Sequence, residues 1–108
     1  MNTKDFSDNG KILYLIERID AGTTGAVDQA LRDLCSSGAK VVVCNMEGTE
    51  YVSSAGLRTF LVHAKNMKKA GGELRFCGLK PYVHEIFEIA GLTSILSVFE
   101  TEQAAIGS

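Results

Sequence analysis

The amino-acid sequence predicts one α/β domain whose β-sheet is largely parallel. Strand-like apolar runs alternate with amphipathic helical patterns along the chain, and glycines or a proline mark the ends of those patterns. Parallel strands need a crossover connection, which is usually a helix, so this alternation is typical of a parallel sheet with right-handed crossovers. The chain has 108 residues, 45% of them hydrophobic and 22% charged, which suits a single domain with one core.

The N-terminal part of the chain predicts two strands followed by a helix. Residues 11–19 carry a nearly continuous apolar run, which is typical of a strand covered on both faces, and residues 1–6 are expected to pair beside it as an edge strand. A turn is predicted at 20–24, and Gly38 is expected to end the helix that follows. Apolar residues at i, i+3, i+4 and i+7 form one face of this helix: Val27, Ala30, Leu31 and Leu34.

The middle of the chain predicts a central strand and the longest helix. The run Val41–Val43 is β-branched, which favours a strand, and Gly48 interrupts it. A loop at 47–51 leads to two serines, and the helix is expected to run from Ala55 to the glycine pair Gly71–Gly72. Its core-facing stripe has helical spacing: Leu57, Phe60, Leu61, Ala64 and Met67.

The C-terminal part predicts two more strands and a further helix. A short strand is expected at 73–77, where apolar and charged residues alternate. Pro81 suits the first turn of a helix, because its missing N–H would have no partner there, and Gly91 suits the position just after the last turn. A final strand is predicted at 95–99 and a helical turn at 102–106. The apolar stripe of the helix is Val83, Ile86, Phe87 and Ala90.

Composition and charge argue against several classes of function. The formal net charge of −2 gives no basic surplus for nucleic acid, and the apolar runs are much shorter than the roughly 20 residues that span a membrane. No apolar segment follows residues 1–5, so no secretory signal is predicted. Three cysteines without Cys-x-x-Cys spacing indicate free thiols: Cys35, Cys44 and Cys77. We therefore expect a cytoplasmic protein without metal or other cofactor, and without contact to nucleic acid or membrane.

The run Tyr51–Leu57 places two small hydroxyl side chains, Ser53 and Ser54, at the start of the long helix. The first N–H groups of a helix have no partner within it, so a negative charge is stabilised there. A serine at a helix start is also an ordinary N-cap, and this interpretation suits Ser53. No Gly-x-Ser-x-Gly turn is present, and His63 and His84 show no spacing that suggests a catalytic base, so an enzyme is not expected.

The serine run and its surroundings resemble the signature of the STAS family, the sulfate transporter and anti-sigma-factor antagonist domains. Four segments in register carry the resemblance: Val41–Gly48, Tyr51–Arg58, Lys68–Leu74 and Phe87–Leu92. The likeness covers about residues 10–99 and implies that residues 1–108 form a single STAS domain. It further implies a mixed, mostly parallel sheet of four to five strands, with helices packed mainly on one face.

Resemblance to the stand-alone bacterial antagonists implies a regulatory role. Such proteins bind an anti-sigma factor, usually also a serine kinase of the histidine-kinase-like ATPase type, and so free a sigma factor. The kinase phosphorylates the serine that corresponds to Ser54, which breaks the complex, and a serine phosphatase restores it. The preceding position is often aspartate in that family and is Ser53 here. This difference leaves the acceptor hydroxyl in place and removes a nearby carboxylate.

A partner-binding surface is expected around the serine pair. Asp20 and Glu47 are loop carboxylates close to it in the predicted order of elements, although loop carboxylates are mostly solvated. Met46, Tyr51 and Val52 either close the edge of the sheet or form the centre of a docking patch, and the sequence leaves both open. The residues expected to contact a partner are Asp20, Met46, Glu47, Tyr51, Val52, Ser53, Ser54, Ala55, Gly56 and Arg58.

Two alternative functions remain open at this stage. The first is a STAS signalling module that regulates an output other than a sigma factor. The second is a sensor that binds a nucleotide or another small ligand with the same loop, because a helix N-terminus suits an anion. No glycine-rich phosphate loop supports the second alternative.

Overall fold

The computed structural model describes residues 1–107 and shows the α/β order of elements over this range. Its strands are β1 (Asn2–Ser7), β2 (Gly10–Tyr14), β3 (Arg18–Ile19), β4 (Val41–Asn45), β5 (Tyr51–Val52), β6 (Glu73–Cys77) and β7 (Ser97–Phe99). Its helices are α1 (Thr24–Ser36), α2 (Ser54–Lys69), α3 (Pro81–Ile89) and α4 (Glu102–Ile106), with a 3-10 turn at Leu92–Ser94. In this part of the chain no helix has the length and apolar character needed to cross a membrane.

Five strands form the main sheet in the order β1-β2-β4-β6-β7. β1 runs antiparallel to β2, and every other neighbouring pair is parallel. The mixed, mostly parallel sheet and its N-terminal edge strand are therefore confirmed. β3 and β5 form a separate two-stranded parallel sheet, in which Arg18 lies beside Tyr51 and Ile19 lies beside Val52.

Side chains along the main sheet alternate between two apolar clusters on its opposite faces. On one face, Leu13, Val42 and Phe76 pack with buried residues of α1, α2 and α3. On the other face, Val43 packs in a smaller cluster with Ala105 of α4. Because successive residues of a strand point to opposite faces, a central strand covered on both sides needs consecutive apolar residues. Three of the four helices lie on the first face, as the resemblance implied.

Three phenylalanine rings form the centre of the larger cluster. Phe60 of α2, Phe76 of β6 and Phe87 of α3 are fully buried. The ring centroids of Phe60 and Phe76 are 5.0 Å apart in an edge-on arrangement, and those of Phe76 and Phe87 are 5.8 Å apart. Aromatic pairs in this geometry add stability beyond their buried area. The three rings join two helices to the sheet.

The single strand predicted at 11–19 is wrong, because the chain leaves the main sheet after β2 and forms β3 in the small sheet. Hydrogen bonds to a later loop cause this separation. The backbone N–H of Glu50 donates to the carbonyl of Glu17 (2.7 Å), and the buried Thr49 hydroxyl donates to the carbonyl of Ile16 (2.9 Å). The apolar run is thus continuous in sequence, but its first part pairs with β4 and its last part pairs with β5.

Two other predicted boundaries also differ from the structure. The loop predicted at 47–51 ends in the short strand β5, which begins at Tyr51. The last strand, predicted at 95–99, begins only at Ser97, because Ile95 follows the 3-10 turn and is 60% exposed. The β-branched side chain of Ile95 favours a strand, but the local sequence does not show whether a neighbouring strand is available for pairing.

A buried histidine connects α1 to α2. His63 is 5% exposed, and its Nε2 lies 2.7 Å from Oδ1 of Asp28. The other carboxylate oxygen of Asp28 accepts a hydrogen bond from the Arg32 guanidinium at 2.7 Å. The Arg32 hydrogen bond, followed by that of His63, lowers the pKa of Asp28 below its ordinary value. The pair fixes how the two helices lie against each other.

Removing the ring of Phe60 from the aromatic cluster is expected to destabilise the fold strongly. Phe60→Ala should lower the free energy of unfolding by about 3–5 kcal/mol, because it removes buried surface and leaves a cavity. Val62→Ala changes a residue of the same helix that is 48% exposed, and it should cost less than about 1 kcal/mol. Urea unfolding of both variants provides the measurement. Equal losses would contradict the central position of the ring cluster.

The Asp28 link is expected to contribute stability that depends on pH. Because its pKa is lowered in the folded chain, the contribution is present above the unfolded value of about 3.9 and is lost as the pH falls through the folded value. The stability difference between wild type and Asp28→Asn should therefore shrink below about pH 4. Asp33→Asn, on the exposed side of α1, serves as the control in denaturant unfolding at several pH values.

Candidate functional site

The serine run lies at the carboxyl edge of the main sheet, where β4 ends. After Asn45 the chain crosses the edge, forms β5 in the small sheet and enters α2 at Ser54. The backbone N–H of Met46 donates to the carbonyl of Cys77 in the neighbouring strand at 2.9 Å. The crossing segment is thus tied to β6 before it reaches the helix. In open parallel sheets this edge is the usual place for functional loops.

Ser53 is the N-cap of α2, as predicted. Its backbone is extended, with φ −77° and ψ 167°, and its side-chain oxygen accepts a hydrogen bond from the N–H of Gly56 at 3.1 Å. The backbone N–H of Ser53 donates to the carbonyl of Ile19 at 2.8 Å, which ties the cap to β3. The Ser53 hydroxyl therefore already satisfies one of the free N–H groups of the helix.

Ser54 is the first residue of α2 and is exposed to solvent. Its hydroxyl has no hydrogen-bond partner within residues 1–107. The two neighbouring serines thus differ physically: one holds the helix start, and the other presents a free hydroxyl beside it. That free hydroxyl lies near the positive end of the helix dipole, where an added negative charge is stabilised.

Gly56 allows α2 to approach the small sheet closely. A β-carbon at this position would lie 2.8 Å from Cγ2 of Ile19 and 3.0 Å from Cγ1 of Val52. Both distances are too short for ordinary packing, so any larger residue would push the helix start away from β3 and β5. The glycine therefore determines how far the serine pair stands above the small sheet.

The structure divides the ten predicted contact residues into three groups. Met46, Val52 and Gly56 are buried in the unbound chain. Met46 and Val52 belong to the larger apolar cluster of the unbound chain. The half-buried residues are Asp20, Tyr51 and Ser53, and the exposed residues are Glu47, Ser54, Ala55 and Arg58.

Charged side chains next to the serine pair are held in defined positions. The Arg18 guanidinium lies 4.6 Å from the centroid of the Tyr51 ring, and its Nε is 3.6 Å from Oδ2 of Asp20. On the other side of the loop, Nζ of Lys80 lies 2.5 Å from Oε1 of Glu50. Exposed pairs of this kind contribute little stability, but they order the surface around a loop.

Asn45 links the crossing segment to α4. Its side-chain oxygen accepts a hydrogen bond from the N–H of Glu47 in the loop that follows, at 2.9 Å. Its amide nitrogen donates to Oε1 of Glu102 at 2.9 Å, a contact that the sequence analysis missed. Burial and a hydrogen bond to Glu102 raise the pKa of Tyr14, so its hydroxyl stays protonated. Asn45 and Glu102 are 57 positions apart in the chain, so local sequence patterns give no signal of this contact.

No nucleophile or metal centre accompanies the loop in the described residues. His63 is bonded to Asp28 and His84 to Glu88, so neither imidazole is a partner of the serine hydroxyl. Burial raises the pKa of the Cys77 thiol to about 11, which keeps it protonated at neutral pH. Among residues 1–107 no three acidic, histidine or cysteine side chains lie close enough together to hold a metal ion.

The profile of the STAS domain matches residues 3–105, and the chain belongs to the STAS family. A relative from Bordetella bronchiseptica, BtrV, is a proposed anti-sigma factor antagonist. It is 36% identical over 103 residues, which cover 95% of this chain and 89% of BtrV. The sequence is thus similar to that of an antagonist over almost its whole length.

Solved structures share the fold. A proposed anti-sigma factor antagonist from Thermotoga maritima superposes with a TM-score of 0.90 at 16% identity, covering 98% of this chain and 91% of that one. SpoIIAA, a Bacillus cell fate determinant solved in its phosphorylated form, superposes with a TM-score of 0.74 at 17% identity, covering 98% and 96%. At these identities the likeness concerns the fold.

The two serines are expected to respond differently to substitution. Ser53→Ala should lower the free energy of unfolding by about 1 kcal/mol, because the helix loses its cap. Ser54→Ala removes an exposed hydroxyl without a partner, and it should change stability by less than about 0.5 kcal/mol. Urea unfolding compares the pair directly, and a larger loss for Ser54→Ala would contradict the assignment of the cap.

Proposed function

We propose that this STAS domain is an anti-sigma-factor antagonist that phosphorylation of Ser54 switches off. The observation that carries the proposal is the free, exposed hydroxyl of Ser54 beside the capped Ser53. A kinase needs access to an acceptor oxygen, and Ser54 offers one without the loss of a helix cap. The similarity to BtrV along 95% of the chain supports the antagonist role, and SpoIIAA shows that a protein with this fold can carry a phosphate.

The partner is an anti-sigma factor that is also a serine kinase of the histidine-kinase-like ATPase type, and a serine phosphatase reverses the modification. The contact surface consists of the exposed and half-buried residues around the helix start. The buried Met46, Val52 and Gly56 support that surface from below. This chain supplies the acceptor hydroxyl, whereas its partners supply the catalysis. Because sigma factors act on the transcription machinery, the protein is expected in the cytoplasm.

A phosphate on Ser54 is compatible with the fold of the free protein. It adds a charge of about −1.5 to −2, which the free N–H groups and the dipole of α2 stabilise. The side chain is exposed, so no buried group has to move. The missing aspartate before Ser54 also removes a carboxylate that would repel the phosphate. We therefore expect modified and unmodified protein to unfold at similar denaturant concentrations.

The phosphate is expected to weaken the complex between this protein and its anti-sigma factor. A partner that packs against a small, neutral helix start would have to bury a bulky dianion there. An unpaired charge in an interface commonly costs about 2–5 kcal/mol, or a tens- to thousands-fold loss of affinity. Affinity is lost while the fold is retained, which is the behaviour that a reversible switch needs.

Site-mapping mass spectrometry tests the acceptor. The protein is incubated with ATP and lysate from its source organism, in parallel with Ser54→Ala and Ser53→Ala. We expect one phosphoryl group on wild type and on Ser53→Ala, and none on Ser54→Ala. Modification that persists in Ser54→Ala would contradict the proposal. No modification of any variant would instead favour a constitutive binder or a ligand sensor.

A phosphomimetic variant tests the switch itself. Ser54→Asp should bind the purified anti-sigma factor tens- to thousands-fold more weakly than wild type, because it places a charge at the packed helix start. Ser54→Ala should bind with nearly unchanged affinity, and calorimetric titration compares the three proteins. Equal affinities of wild type and Ser54→Asp, with normal folding of both, would refute the proposed switch.

A further inference from the structure

A groove of about 500 Å³ lies between α3 and the last strand of the main sheet. Half-buried Leu79 and Val98 give the groove part of its lining, and Phe99, which packs against the smaller cluster on the other face of the sheet, borders it. Glu88 and Glu100 also line it and are exposed. The groove therefore combines apolar surface with two carboxylates.

The charge of this groove is not balanced within the described part of the chain. Glu100 forms no ion pair in residues 1–107, and Glu88 is bonded to the imidazole of His84 at 2.7 Å. No lysine or arginine is among the lining residues. The neighbouring Lys80 is directed away, to Glu50. The unpaired carboxylate of Glu100 therefore favours a ligand that carries positive charge.

The strand beside the groove has an open edge. β7 is the last strand of the sheet and pairs with β6 on one side only. Alternate N–H and C=O groups of an edge strand point away from the sheet and can pair with an added extended segment. An edge strand, apolar side chains and two carboxylates thus lie close together in this part of the surface.

The groove is continuous with the surface around Ser54. Pro81 lines the groove at the start of α3, and the residue before it, Lys80, forms the ion pair with Glu50. Glu50 directly precedes β5 and the serine pair. The Lys80–Glu50 ion pair therefore joins the segment next to the groove to the segment before the serine pair.

We propose that this groove docks a segment of the protein partner that carries apolar side chains together with lysine or arginine. The apolar side chains would contact Leu79 and Val98, and the basic side chains would pair with Glu88 and Glu100. The identity of the partner rests on the function proposed above. The charge, the lining and the open strand edge of the groove do not depend on it.

A peptide titration tests the groove directly. The probe is a heptapeptide with the sequence Gly-Arg-Leu-Arg-Ile-Arg-Gly, blocked at both ends, and the readout is the amide spectrum of the ¹⁵N-labelled protein. We expect saturable shifts in residues 79–88 and 97–100, and weaker binding as salt is raised. A peptide with glutamate in place of each arginine is the probe control and should not bind.

Variants of the two groove carboxylates, Glu88 and Glu100, provide a second test. Glu88→Gln combined with Glu100→Gln should weaken binding of the basic peptide roughly tenfold, since two exposed ion pairs are lost. Glu85→Gln removes an exposed carboxylate from the same helix outside the groove lining, and it should leave the affinity unchanged. Amide spectra of the free variants establish that each one is folded.

Four outcomes would overturn the inference. They are the absence of saturable shifts, shifts centred elsewhere, equal binding of the acidic peptide, and an equal effect of Glu85→Gln. A second copy of this chain is the other candidate occupant, because its own lysines could meet the carboxylates. Self-association in sedimentation experiments that the double variant abolishes would assign the groove to that copy.

The design also separates this inference from the proposed function. Ser54→Asp should leave peptide binding unchanged, because the serine lies outside the groove lining. Peptide binding without phosphorylation of Ser54 would support the groove and refute the switch. Phosphorylation of Ser54 without peptide binding would support the switch and refute the groove.

Discussion

The close approach of α2 to the small sheet is the constraint on which the candidate site depends. Gly56 permits the approach, because a β-carbon there would lie 2.8 Å from Ile19 and 3.0 Å from Val52. The cap of Ser53 and its backbone bond to β3 then hold the helix start in place. With these contacts satisfied, Ser54 is left as the exposed first residue of the helix. The position of the free hydroxyl follows from packing that involves other residues.

The residues that stabilise the fold lie apart from the proposed acceptor site. The aromatic cluster of Phe60, Phe76 and Phe87 lies inside the molecule, at the middle of α2 and α3, whereas the serine pair lies at one end of α2. A charge added at an exposed helix start therefore leaves the main source of stability untouched. Under the proposed switch, the added charge would therefore act on affinity without a change of fold.

The negative groove affects how a regulatory phosphate would act. A basic partner segment is attracted to Glu88 and Glu100 over a distance of about one Debye length, roughly 8–10 Å at physiological salt. A phosphate on Ser54 leaves both carboxylates of the groove in place, so the long-range attraction would persist and would not release such a partner. Release would come from short-range packing and desolvation at the helix start. The groove would thus mainly affect the rate of association, and the helix start would mainly affect the rate of dissociation.

Much of this molecule follows from local sequence patterns. The helical stripe of α2, the capping serine and the β-branched run of β4 predict elements that the structure contains, because each depends on residues close together in the chain. Tertiary structure decided the remainder: that the first apolar run divides between two sheets, and that Asn45 meets Glu102. These features depend on which distant segments pair, and local periodicity carries no information about that choice.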